Sequence, residues 1–142
     1  LNPTQQKIVA LLQQEYTAQP AGTKYTEGRD EYWCADFTSW IMKEAGVPLR
    51  TIDGHWRIDD IPPLLDFYKN EGRFQAIDSG YQPKVGDAVL YEHPSPMGNH
   101  VNIIIKIDGD LLTTVGGNEG NVIRIQQYRS FDDPHALGFG VL

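Results

Sequence analysis

Trp33-Cys34-Ala35-Asp36-Phe37-Thr38-Ser39-Trp40-Ile41-Met42-Lys43-Glu44-Ala45-Gly46 puts the single cysteine of the chain at the opening of an amphipathic helix. Phe37, Ile41 and Ala45, flanked by Thr38 and Met42, recur at three- and four-residue spacing, and Gly46 followed by Val47-Pro48 supplies a stop. The pattern predicts a helix from Cys34 to Ala45. Gly28-Arg29-Asp30-Glu31-Tyr32 reads as the loop before it, so Cys34 falls in the first turn. Unpaired N–H groups and the helix dipole there favour an anion. A thiolate is such an anion and is the attacking form of cysteine. A lone cysteine elsewhere on this helix would read as a small buried hydrophobe. A nucleophilic one needs a histidine within reach in the fold and a third group to orient that histidine.

On the N-terminal side, Ile8, Val9, Leu11, Leu12 and Tyr16 form one apolar face, with Thr4 as the expected N-cap of a first helix. Thr17 to Arg29 carries Pro20, Gly22 and Gly28 without periodicity and reads as a loop, whose Tyr25 either lines the site or packs. On the C-terminal side, Ile61-Pro62-Pro63 and Gly72 bracket a third helix over Ile61–Asn70, with Leu64, Leu65 and Tyr68 inward. Short β-type runs follow at Phe74–Ile77, Ala88–Tyr91, Val101–Ile107, Leu111–Val115, Val122–Tyr128 and Leu137–Leu142. Asp108-Gly109-Asp110 is a tight hairpin turn. Helices first and strands afterwards predict an α+β fold, N-terminal helices packed on a C-terminal antiparallel sheet. No repeat or linker interrupts residues 1–142, so one domain is expected.

At 142 residues and 40% hydrophobic composition, the chain can bury a core without disulfides or metal. A net charge of −7 without a Lys/Arg cluster argues against nucleic acid or an anionic membrane surface as partner. No apolar run is long enough to span a bilayer. One cysteine rules out an internal disulfide and a Cys-based zinc site. The start at Leu1 rather than methionine predicts that an upstream segment, a signal peptide or another domain, has been removed or left out.

Of the four histidines, His55, His93 and His135 sit in loops or turns. His100 instead opens the most hydrophobic run, Val101-Asn102-Ile103-Ile104-Ile105-Lys106-Ile107. A strand end holds an imidazole better than a loop does. The hairpin returns Val115-Gly116-Gly117-Asn118-Glu119-Gly120-Asn121 beside it, so Asn118 or Glu119 can reach the ring. In a regular strand these two would face opposite ways, unless the flanking glycines break the pleat.

Four segments, in order, resemble the CHAP domains (cysteine, histidine-dependent amidohydrolase/peptidase), of the NlpC-type papain-like superfamily. Trp33–Trp40 resembles the start of that family's nucleophile helix. Pro83-Lys84-Val85-Gly86-Asp87-Ala88-Val89 resembles its Pro-x-x-Gly-Asp strand entry, and Asn99-His100-Val101-Asn102-Ile103-Ile104 its histidine strand. Thr113–Gly120 is similar to the segment where the family commonly has Glu-Gly-Asn. Two positions depart: Asn99 stands where a glycine often precedes the histidine, and Gly116 where the glutamate commonly stands.

The resemblance implies a papain-like α+β fold and a cysteine amidase or peptidase, secreted or in the cell wall, that cuts an amide bond in bacterial peptidoglycan. Cys34, His100 and Asn118 are the expected catalytic residues, with Glu119 as the alternative to Asn118, and Tyr25 and Trp33 the expected substrate-binding side chains. The mechanism requires no metal or organic cofactor. The expected partner is a peptidoglycan peptide, with no nucleic acid and no membrane, and the expected state is a monomer. The alternatives are an amidase acting on a small peptide conjugate and an inactive wall-binding module, of which Gly116 would be the first symptom.

Overall fold

The computed structural model describes residues 1–94, 98–129 and 132–142. Three helices, α1 (Pro3–Ala18), α2 (Cys34–Glu44) and α3 (Ile61–Asn70), precede a six-stranded antiparallel sheet, giving the expected α+β arrangement. The strands are β1 (Phe74–Ala76), β2 (Ala88–Tyr91), β3 (His100–Asp108), β4 (Leu111–Gly116), β5 (Arg124–Arg129) and β6 (Ala136–Gly140). Their spatial order is β1-β6-β2-β3-β4-β5. The last strand therefore inserts between the first two, a pairing that no local pattern announces.

Local chemistry accounts for the helix ends. Asn2, not Thr4, caps α1: its side chain accepts from the Gln5 N–H at 2.8 Å while Gln5 Oε1 accepts from the Asn2 N–H at 2.9 Å. Pro3 then occupies the first helical position, where its missing N–H costs nothing. The buried positions of α1 are Ile8, Leu12 and Glu15, and Tyr16 stays exposed. Glu15 is accepted in the core because Lys24 and the Tyr25 hydroxyl reach it at 2.5 and 2.8 Å.

Helix α2 is buried nearly all round, from Cys34 through Met42, because it lies between the sheet strands β3 and β4 and helix α1. Val101 and Ile103 of β3 pack in the same core as Phe37 and Ile41. The opposite face of the sheet carries Val89, Tyr91, Ile104, Leu112 and Phe139 in a second cluster. A strand hydrophobic on both faces reads as the continuous apolar run seen in β3. Among the described residues no helix is long and apolar enough to cross a membrane.

The Pro83–Asp87 turn fastens the end of the chain. Asp87 is buried, and its carboxylate accepts from the Tyr81 hydroxyl at 2.7 Å, the Lys84 N–H at 2.9 Å and the Leu142 N–H at 2.9 Å. Removing it strands three donors. Asp87→Ala is expected to lower the unfolding free energy by about 2–4 kcal/mol, read as a lower melting temperature with the rate per folded molecule kept. An unchanged melting temperature would show that water replaces the carboxylate.

Candidate active site

Cys34 is the first residue of α2, and Trp33 before it provides no side-chain cap. The N–H groups of Cys34 and Ala35 thus have no intrahelical acceptor, and both residues line a cleft of about 700 Å³. One wall is formed by Asp59, Asp60 and Ile61 at the start of α3. The other is formed by Gly98, Asn99 and His100 entering β3, with Asn118, Gly120 and Asn121 beyond β4. Tyr32, 87% exposed, stands at the mouth.

His100 is 5% exposed and opens β3, with the Tyr91 ring 6.0 Å from its own. Its Nε2 lies 2.8 Å from Glu119 Oε2. The remaining ring nitrogen, Nδ1, is left for Cys34, which stands close enough to this side chain to act on its charge. Burial works against the imidazolium, but Cys34 and then Glu119 outweigh it and raise the His100 pKa to about 9. The expected nucleophile and the strand-borne histidine are therefore adjacent in a cleft, although 66 positions separate Cys34 from His100 in the chain.

The third member differs from expectation. Glu119, not Asn118, holds His100. Strand β4 ends at Gly116, so the alternation rule does not extend to residues 118 and 119. Asn118 adopts a left-handed φ of 56°, and the chain turns back through Gly120 and Asn121 so that the Glu119 N–H meets Val122 O at 3.0 Å. This turn swings the Glu119 side chain inward and leaves Asn118 half-buried on the cleft wall. Gly116 makes the arrangement possible, since a Cβ there would stand 1.9 Å from Glu119 Oε2. The position where the resembling family commonly has glutamate is thus empty, and a carboxylate from three residues later fills its space.

Tyr25 and Trp33 also depart from expectation. Tyr25 is fully buried, stacked on Trp33 at 5.6 Å and edge-on to Phe37 and Trp40, with its hydroxyl on Glu15. Trp33 is 4% exposed, and its indole N–H donates to Asn121 Oδ1 at 3.3 Å. Both support the floor beneath the cysteine rather than touching the cleft. Aromatic residues beside a nucleophile carry no sequence mark that separates lining from packing. Tyr32, Asp59 and Asp60, which do line the cleft, lay in stretches without periodicity and gave no signal.

The α3 wall is tied to the nucleophile helix by a buried guanidinium. Arg57 Nη1 lies 2.9 Å from Asp36 Oδ1 and 3.3 Å from Glu31 Oε2, and its Nε lies 2.8 Å from Glu27 Oε1. Asp36 is fully buried; burial raises its carboxyl pKa to about 7, with Glu31 adding to the rise and Arg57 opposing it. Of the other histidines, His55 is exposed and pairs with Glu27 at 2.6 Å, and His93 lines the outer cleft. Among the described residues no three His, Cys, Asp or Glu side chains converge as a metal site.

A family model for the CHAP domain matches residues 25–121, well over half of the chain, a span that includes Cys34, His100, Asn118 and Glu119. No curated protein and no solved structure matches the chain.

Proposed function

Because the chain belongs to the CHAP domain family, whose members are generally amidases and peptidases, we propose that it hydrolyses an amide bond in the peptide part of bacterial peptidoglycan, acting at the cell wall or as a secreted enzyme. The observation that carries this reading is the Cys34–His100 pair at the head of an open cleft, with the histidine held from behind by Glu119.

The chemistry follows from the geometry. Below its pKa of about 9 His100 already holds the proton on Nδ1, and the Cys34 sulfur, attacking as the thiolate paired with this imidazolium, adds to the scissile carbonyl carbon. The developing oxyanion meets the N–H of Cys34, which no helical carbonyl occupies. The imidazolium then protonates the leaving amine, and a thioester remains on Cys34. Water attacks the thioester, His100 accepts its proton, and the acid leaves as the thiolate is released beside the re-formed imidazolium. Glu119 contributes by keeping the Nε2 proton in place, which fixes the tautomer and stabilises the imidazolium. An inactive binding module is disfavoured by the same observation, because the carboxylate absent at position 116 is supplied by Glu119.

Digestion of purified peptidoglycan with mass analysis of the products tests the proposal and names the bond. New free amino and carboxyl ends are expected, and intact peptidoglycan under conditions that digest it with a control hydrolase would overturn it. The pH profile is expected to carry a basic limb near 9, since His100 keeps its proton below that value and loses it above. Glu119→Gln removes one of the two groups that raise the histidine, so the limb should move to lower pH. Turnover should fall on the order of 100-fold while remaining measurable. An unmoved limb would mean that Glu119 does not act on His100.

A further inference from the structure

Both oxygens of the Glu119 carboxylate are engaged, and His100 uses only one. Oε2 meets His100 Nε2 at 2.8 Å, and Oε1 accepts from Gln126 Nε2 at 2.5 Å. We infer that Gln126 is a positioning residue for the hydrolysis, acting on His100 through Glu119; this rests on the assignment of Cys34 and His100 as the reacting pair.

A glutamate is a long side chain with several rotatable bonds, and Glu119 sits in a turn rather than on a strand. Its backbone is pinned by the Val122 carbonyl at 3.0 Å and by Arg124 Nε on its own carbonyl at 2.7 Å. Those contacts fix the root and not the tip. The tip is fixed by Gln126, which belongs to β5 and stands opposite Thr114 of β4 in the ladder, so the sheet holds its backbone. Gly116 leaves the space in which the carboxylate lies. The Glu119 side chain is 5% exposed, and a buried carboxylate oxygen without a donor is costly. Loss of the Gln126 amide therefore favours rotation of the carboxylate away from the imidazole. His100 then loses the acceptor that aims Nδ1 at the sulfur. Gln126 lies beyond the matched span of residues 25–121, so this part of the device comes from the C-terminal strands.

The titratable groups facing His100 are Cys34 of α2, Glu119 in the turn after β4 and Tyr91 of β2, and the titration of His100 reports whether Glu119 remains in place. Gln126→Met keeps the bulk and removes the donor; Gln126→Ala removes both. Each is expected to lower kcat about tenfold with KM nearly unchanged, on the scale of partners that act from behind a ligand, and to lower the melting temperature by a few degrees at most, because Glu119 Oε1 loses its donor. In a Glu119→Gln background neither should cause a further loss, since residues that act through one another are not additive. The His100 ring signal, followed by NMR without substrate, should titrate at lower pH in Gln126→Met than in the wild type. Wild-type kcat and wild-type titration in Gln126→Met would overturn the inference, as would a loss that multiplies in full with that of Glu119→Gln. If the wild type cleaves no peptidoglycan the proposed function fails, and the titration by itself decides the role of Gln126.

Discussion

Cys34→Ala is expected to reduce peptidoglycan hydrolysis by at least on the order of 10⁴-fold while the protein folds as before, because every bond-making step in the proposed reaction passes through the sulfur. Alanine suits the first turn of a helix. Position 34 is 8% exposed, so loss of the sulfur removes little packing, and a melting temperature within a few degrees of wild type is expected. Cys34→Ser should be nearly as inactive, since a serine hydroxyl is much harder to deprotonate than a thiol. The wild type should show a burst or a trapped thioester with a slowly hydrolysed substrate, and neither variant should. Retained turnover in Cys34→Ala would exclude covalent thiol catalysis and with it the proposed function.

His100→Gln and His100→Ala should each lose about as much activity as the cysteine variants, because nucleophile and base act as a unit. Their stabilities should separate. Alanine leaves Glu119 Oε2 buried without its partner while Gln126 still holds Oε1, a loss of about 3–5 kcal/mol in unfolding free energy, whereas glutamine can still offer a donor. The pH dependence has a defined sign. The His100 pKa rises on folding from an ordinary 6.5 to about 9, so its contribution to stability is full below 6.5 and is lost as pH rises through 9. The stability margin of wild type over His100→Gln should therefore shrink across that interval. Replacement of His55, which is exposed and paired with Glu27, or of His135, in a turn, should leave turnover within a fewfold of wild type. A fatal His55 variant with an active His100 variant would overturn the pairing.

How much of this was legible beforehand depends on the range of the interaction. Apolar spacing, prolines and glycines act within a few residues, and they located α3 at Ile61–Asn70 and β2 at Ala88–Tyr91 without error. The same local chemistry placed Cys34 at the first turn of α2, and His100 at the head of the longest apolar strand. The hairpin at Gly109, whose φ of 61° suits a tight turn, made it clear that residues after Val115 return towards His100. The order of α-type before β-type segments settled the fold class.

What the chain alone left open was decided by partners distant in sequence. Asn2 and Thr4 are both good caps, and only the reach of Gln5 back to Asn2 selected one. Tyr25 and Trp33 became core because α1 supplies Glu15 as a partner for the Tyr25 hydroxyl, while Phe37 and Trp40 close over the two rings. Asp36, on a helix that reads as amphipathic, is buried because Arg57 comes across from another segment to meet it. The choice between Asn118 and Glu119 was of the same kind. The resemblance pointed to Asn118, and strand periodicity would then have turned Glu119 away; but a left-handed turn ends the periodicity there, the missing side chain at Gly116 opens a space, and Gln126 from β5 holds the carboxylate in it. Residue types and spacing determined which groups could react and on which elements they stand; the packing of α2, β4 and β5 around the imidazole decided which side chain meets it, because that choice depends on space and donors that exist only once the strands are paired.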